Sequence, residues 1–175
     1  MNYLYHKVPE NMKGKYLMPL NKLRKVYPKV YKEELKKYEG RGHLLKKRVW
    51  PWNCLWNDVI HLTAVHPRKL KIALLKSGAK SVKSKKWFRI NVKNLKKSKT
   101  IVWTYPKGEG NKRNWGFVKY NIKDLKKYNK IGKDTLDYYK EKFSEGKKPL
   151  MFAWVPHILY KGKINISKCK IITLK

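Results

Sequence analysis

Of the side chains in this sequence, the five histidines are best suited to move a proton near neutrality. Three of them, His6, His61 and His157, stand in apolar and aromatic runs: Leu4-Tyr5-His6, Val59-Ile60-His61-Leu62-Thr63 and Val155-Pro156-His157-Ile158-Leu159-Tyr160. Read as strands or strand edges, those runs can bring the three imidazoles to one cleft. In so basic a chain they stay neutral there and act as donors or bases. The plainer account makes each a core-edge histidine bonded to backbone. His66, directly before Pro67, reads as a helix-start residue, and His43 in a basic loop as solvated or phosphate-facing.

Other chemistries have less to work with. Asp and Glu number 11 against 45 Lys and Arg, so paired carboxylates have few places to stand and two-metal catalysis is disfavoured. Asp58 lies near a strand end, and Glu109 sits alone in a basic loop. Glu34-Leu35-Lys36 matches half of a nuclease motif, but it falls within a helical pattern and reads as an ordinary solvated face. Two cysteines, Cys54 and Cys169, are too few for a four-thiolate zinc site, and no His pair has the four-residue helical spacing, so no metal is expected. Both cysteines have apolar neighbours and read as free buried thiols. His61-x-Thr63 is half of a two-histidine phosphoesterase signature whose other half is absent.

The net charge, 45 − 11 = +34, points to a polyanionic partner, since a compact body so charged repels itself without one. With 7 Trp and 12 Tyr the chain can also build an ordered core, which excludes a disordered basic tail. The partner expected is DNA or RNA, held at Lys46, Lys47, Arg48, Lys83, Lys85, Lys86, Lys112 and Arg113, with Trp52 available to stack on an unpaired base. Lysine far outnumbers arginine, which favours backbone attraction over reading of base edges. A lysine-biased composition would give the same surface without a specific partner. No apolar stretch approaches the roughly 20 residues of a membrane span, and the first residues lack the features of a signal peptide, so a cytoplasmic protein with no membrane partner is expected.

These residues need elements to position them. The pattern predicts a strand over Asn2 to Lys7, a helix over Pro28 to Tyr38 stopped by Gly40, and an irregular basic-then-aromatic segment to Trp56. A strand follows over Val59 to Thr63, then a helix from Pro67 to about Lys76 stopped by Gly78. Alternation marks strands at Trp87 to Val92 and Thr100 to Thr104. A loop with Pro106, Gly108, Glu109 and Arg113 leads to another at Trp115 to Tyr120. Asp134, with Asp137 three residues later, resembles a capping box opening a third helix that ends at Gly146. An apolar stretch from Leu150 to Val155, a turn at Pro156-His157, and strands at Ile158 to Tyr160 and Ile164 to Thr173 close the chain. The whole, residues 1–175, reads as a single basic α+β domain: a mostly antiparallel, strongly bent sheet with three flanking helices.

Leu4-Tyr5-His6, Val59-Ile60-His61-Leu62-Thr63 before a helix, Trp87-Phe88-Arg89-Ile90-Asn91-Val92 followed by Leu95, and Pro156-His157-Ile158-Leu159-Tyr160-Lys161-Gly162 together resemble small ADP-ribosyltransferase-like proteins. The resemblance implies that NAD is the cofactor. It places His6 at the nicotinamide-ribose side and Thr63 or a nearby aromatic in support of the ring, with Tyr5 also among the cofactor-binding residues. Together with the shared-cleft reading of the histidines this makes His6, His61, Thr63 and His157 the candidate catalytic set. A late catalytic Glu is missing at Pro156-His157, with Glu109 the nearest loop acid. The sequence therefore leaves three readings: an NAD-dependent ADP-ribosyltransferase-like enzyme acting on nucleic acid, a metal-independent ribonuclease with histidine acid and base, and a non-catalytic DNA- or RNA-binding module.

Overall fold

The computed structural model describes residues 2–105 and 116–174. In chain order the elements are β1 (Tyr3–Lys7), β2 (Tyr16–Leu17), α1 (Leu20–Val26), α2 (Pro28–Leu35), α3 (His43–Lys46), β3 (Arg48–Val49), β4 (Cys54–Leu55) and β5 (Ile60–Leu62). Then come α4 (Pro67–Lys76), β6 (Lys85–Asn91), β7 (Thr100–Trp103), β8 (Phe117–Lys119), α5 (Lys133–Ser144), β9 (His157–Tyr160), β10 (Ile164–Asn165) and β11 (Lys170–Leu174). Short 3-10 turns fill several connections, including Lys36–Tyr38, Trp56–Asp58 and Ile122–Tyr128. The architecture is α+β. No helix among the described residues is long and apolar enough to cross a membrane.

Alternation of buried and half-buried residues builds two principal sheets. One is ordered β1-β6-β11 and the other β5-β9-β7-β8, and every registered pair is antiparallel. Leu4 faces Ile90 across the first sheet, and Leu62 faces Ile158 across the second. All four side chains are fully buried in one cluster with Ile164, each contributing ~1.5–3 kcal/mol of apolar burial. The sheets join at one point: the Tyr5 amide donates to the Thr63 carbonyl at 2.8 Å and the Thr63 amide to the Tyr5 carbonyl at 3.0 Å.

Helix α4 begins as its sequence dictates. Pro67 takes the first helical position, where its missing N–H costs nothing, and His66 caps it, Nδ1 accepting the Arg68 amide at 3.1 Å. At its end Gly78 adopts φ +118°, and a Cβ there would lie 3.2 Å from the Phe143 Cβ of α5. Helix α5 packs Tyr139 against Ala73 and Leu74, and its hydroxyl donates to the Met151 carbonyl.

Several expectations are corrected. Five α-helices occur among the described residues instead of three, because α1 and α3 are short and carry no strong apolar stripe. The sheet is not one bent surface. The segment Ile164 to Thr173 is split between β10, paired with β2, and β11, paired with β6. An Asx turn breaks it: Asn165 Oδ1 accepts the Ser167 amide at 3.0 Å and its hydroxyl at 2.7 Å. Helix α5 is capped by Gly132 and starts at Lys133, and Asp137 pairs with Lys133 at 2.5 Å instead of closing a capping box from Asp134. Residues 151–154 form turns, with Trp154 at φ +61°. The loop containing Glu109, Lys112 and Arg113, and Trp115 after it, lies outside the described residues.

Candidate functional site

The site grows from strand periodicity. On β5, Ile60 and Leu62 are buried in the core, and His61 between them points to the opposite face. His157 opens β9 opposite Trp103 of β7, and His6 lies on β1 one residue from the joint between the sheets. All three line one cavity of about 720 Å³. The rings of His61 and His157 lie 5.6 Å apart at 88°. Trp56 touches both, at 4.5 Å from His61 and 5.7 Å from His157, and Trp103 stacks on His157 at 5.7 Å.

Backbone carbonyls fix two tautomers. His61 Nε2 is 2.9 Å from the Trp56 carbonyl, which can only accept, so Nε2 carries the proton and Nδ1 the lone pair. His6 Nδ1 donates likewise to the Lys7 carbonyl at 2.6 Å, leaving its Nε2 lone pair. Among the described residues the His157 ring has no hydrogen bond. Burial holds His6 and His61 down to about 4, against the opposing effect of their carbonyl bonds, and Lys37 lowers His6 further. Burial, then His61 and Lys47, keeps His157 well below its ordinary range. The cluster is therefore a set of neutral bases at neutral pH.

Lys47 completes it. Its Nζ lies 3.9 Å from the Trp56 ring centre and 3.7 Å from that of Trp103, and burial brings the ammonium down to about 8. Sequence reading placed Lys47 on an outer nucleic-acid surface; the structure turns it inward to the histidines. Its neighbours Lys46 and Arg48 are exposed, Arg48 donating to Asn53 Oδ1 at 2.8 Å. Trp52 is half-buried against the cluster built on Val49, Trp56 and Trp103. Lys83 and Lys86 are exposed, while Lys85 is half-buried beside Lys7, whose amine lowers its pKa. Thr63 and Tyr5 also line the cavity, but both are buried and committed: Thr63 Oγ1 accepts the Val65 amide at 3.0 Å, and the Tyr5 ring packs edge-on against His66 at 5.0 Å.

Sequence reading missed several lining residues. Glu34, assigned to a solvated face, is one helical turn beyond buried Val30 on α2, and Lys37 and Tyr38 of the following 3-10 turn and Arg41 beyond it also line the cavity. That four-residue spacing was the available signal. Glu34 bonds Lys37 at 2.5 Å. Asn57 is 2 % exposed and lines the cavity, and among the described residues neither Nδ2 nor Oδ1 has a partner; nothing local marked it. Asp58, by contrast, serves the fold, accepting the Leu55 amide and the Asn21 side-chain amide, each at 2.8 Å. Cys54 and Cys169 are free and half-buried, and burial raises both thiols. Among the described residues no three His, Cys, Asp or Glu side chains cluster as metal ligands would. No family model, curated protein or solved structure matches this chain.

Proposed function

We propose that the cavity binds a dinucleotide of the NAD type and that the protein, on a fold resembling the ADP-ribosyltransferases, transfers ADP-ribose to DNA or RNA held along its basic exterior. The observation that carries the reading is the meeting of three neutral imidazoles and Lys47 in one aromatic-walled cavity. Its volume, about 720 Å³, falls in the range of small-molecule sites. The residues fit the ligand. Tyr16, Tyr27, Tyr38, Tyr105 and Phe152 offer ring faces, and Lys7, Lys13 and Arg41 offer charge for a pyrophosphate.

When bound, NAD supplies a ribose carbon joined to a neutral leaving group. The chain's own task is then to take a proton from the acceptor hydroxyl or amine as its new bond to that carbon forms and nicotinamide departs. Nothing is oxidised. The lone pairs on His61 Nδ1 and His6 Nε2 suit that role because neither imidazole is already protonated at neutral pH. Glu34 is the one carboxylate among the described lining residues, available to face positive charge developing on the ribose.

One observation favours the ribonuclease reading: His61 and His157 adjoin, with an ammonium near neutral pKa beside them. There an imidazole would take the 2′-hydroxyl proton and Lys47 would support the phosphate. The deciding experiment incubates the protein with NAD labelled in its adenylate and with DNA or RNA. Label should pass to the nucleic acid and cease to do so in His61→Ala and His157→Ala. Absence of both transfer and a thermal shift at millimolar NAD overturns the proposal, and RNA cleavage in EDTA without NAD installs the alternative.

A further inference from the structure

Lys47 departs from a run of exposed cations. Lys46 and Arg48 on either side of it are exposed, whereas Lys47 is half-buried and lines the cavity. It stands in extended backbone directly before β3, and the alternation that buries Val49 turns Lys47, two residues earlier, to the same side. Its Nζ rests 3.9 Å from the centre of the Trp56 ring and 3.7 Å from that of Trp103. Both indoles touch His157, and Trp56 touches His61 as well. An amine held by aromatic walls beside neutral imidazoles has the surroundings of a lysine that attacks carbonyl groups. Burial supports the same use: with the ammonium brought down to about 8, ~10 % of it is free amine at pH 7, against ~0.03 % for an ordinary lysine.

We infer that Lys47 is a nucleophile that forms an imine with the aldehyde of a ring-opened, phosphorylated pentose. The nitrogen lone pair adds to the aldehyde carbon, the carbonyl oxygen becomes a hydroxyl, and that hydroxyl leaves as water while the C=N bond forms. One amine and one aldehyde give one imine and one water, with nothing oxidised or reduced. The proton given up by the nitrogen has a place to go, since Nδ1 of His61 carries a lone pair and can return it to the departing hydroxyl. The phosphate follows from charge. Lys7, Lys13 and Arg41 line the same cavity, and Lys46 and Arg48 flank the nucleophile outside it. Such an aldehyde occurs at an abasic site in a DNA strand and in a free sugar phosphate. The inference goes beyond the reading above and needs no NAD.

The test incubates the whole protein with each source in the presence of sodium cyanoborohydride, which reduces an imine to a stable secondary amine. One arm uses a DNA oligonucleotide carrying an abasic site, the other 2-deoxyribose 5-phosphate. Peptide mapping of the wild-type protein by mass spectrometry should place the trapped adduct on Lys47, at least tenfold above any other lysine. The arm that gives it identifies the source. Lys47→Met should lose the adduct while melting no lower than the wild type. Adduct scattered over the exposed lysines, or undiminished in Lys47→Met, overturns the inference, and so does the absence of trapping in both arms. Those results leave the NAD reading standing, because that reading is decided by label transfer and thermal shift.

Discussion

Replacing Lys47 with methionine should stabilise the protein at neutral pH. Burial brings the ammonium from 10.5 to about 8, which at ~1.4 kcal/mol per pH unit bounds its cost at ~3 kcal/mol. The group is half-buried and opens on the cavity, so solvent screening reduces that to ~2 kcal/mol. The indole faces of Trp56 and Trp103, at 3.9 and 3.7 Å, return ~1 kcal/mol by attracting the charge. A net gain of ~1 kcal/mol remains for Lys47→Met, or ~2–4 °C in melting temperature for a chain of this length. Methionine keeps the volume and the contact with both rings.

The sign of the pH dependence gives a second, independent check. Between about pH 8 and 10.5 the unfolded chain holds the Lys47 proton and the folded chain does not, so rising pH favours the folded wild type. The advantage of Lys47→Met should therefore be full at pH 7 and shrink steadily above pH 8. Urea unfolding of both proteins at pH 7 and at pH 9.5 measures it. If Lys47→Met lowers stability by 1 kcal/mol or more at pH 7, the lysine is a structural wedge between two indoles and the reasoning fails. A difference that ignores pH would refute it as well.

His6 and His61, both held to about 4, should make the protein lose stability as pH falls from 6.5 toward 4, because unfolding then takes up protons that the folded chain refuses. His6→Gln with His61→Gln should flatten that acid limb in urea titrations, and an unchanged slope would contradict the assignment. Affinity for duplex DNA should fall linearly on a log scale with salt, and Lys83→Ala with Lys86→Ala should reduce the slope by ~2 if both exposed ammoniums meet phosphates. Tyr139→Phe frees the Met151 carbonyl and should cost ~1–2 kcal/mol in denaturant unfolding. Because Met151 and Phe152 line the cavity, the same variant should weaken NAD binding in a thermal-shift titration.

What the sequence disclosed follows the range of the interactions involved. Helix α4 was readable to its last residue because its signals are local: Pro67 at the start, a capping His66 and Gly78 past the end. Strands β1, β6 and β7 declared themselves within two residues through alternation. The meeting of His6, His61 and His157 was legible only as an expectation, since strand phase gives the facing of each residue and pairing across the sheets decides the rest. Lys47 was out of reach for the same reason. In the run Lys46-Lys47-Arg48 nothing local separates the inward side chain from its exposed neighbours, and one of its two indole partners, Trp103, comes from a distant strand. The split between β10 and β11 was concealed by apolar residues continuing through the Asn165-Ile166-Ser167 turn, where a side-chain bond to the backbone outweighs the strand pattern.

The paired amides of Tyr5 and Thr63 fasten both ends of a long excursion of the chain at one spot. Most of the cavity wall, from Pro9 through Glu34 and Lys47 to Asn57, belongs to that excursion, while His6 and His61 stand on the strands that anchor it and His157 on β9, paired with β5. Selectivity and proton transfer thus have separate addresses in the polypeptide. The intervening stretch can diverge, and what the chamber admits can change with it, while the imidazoles keep their positions.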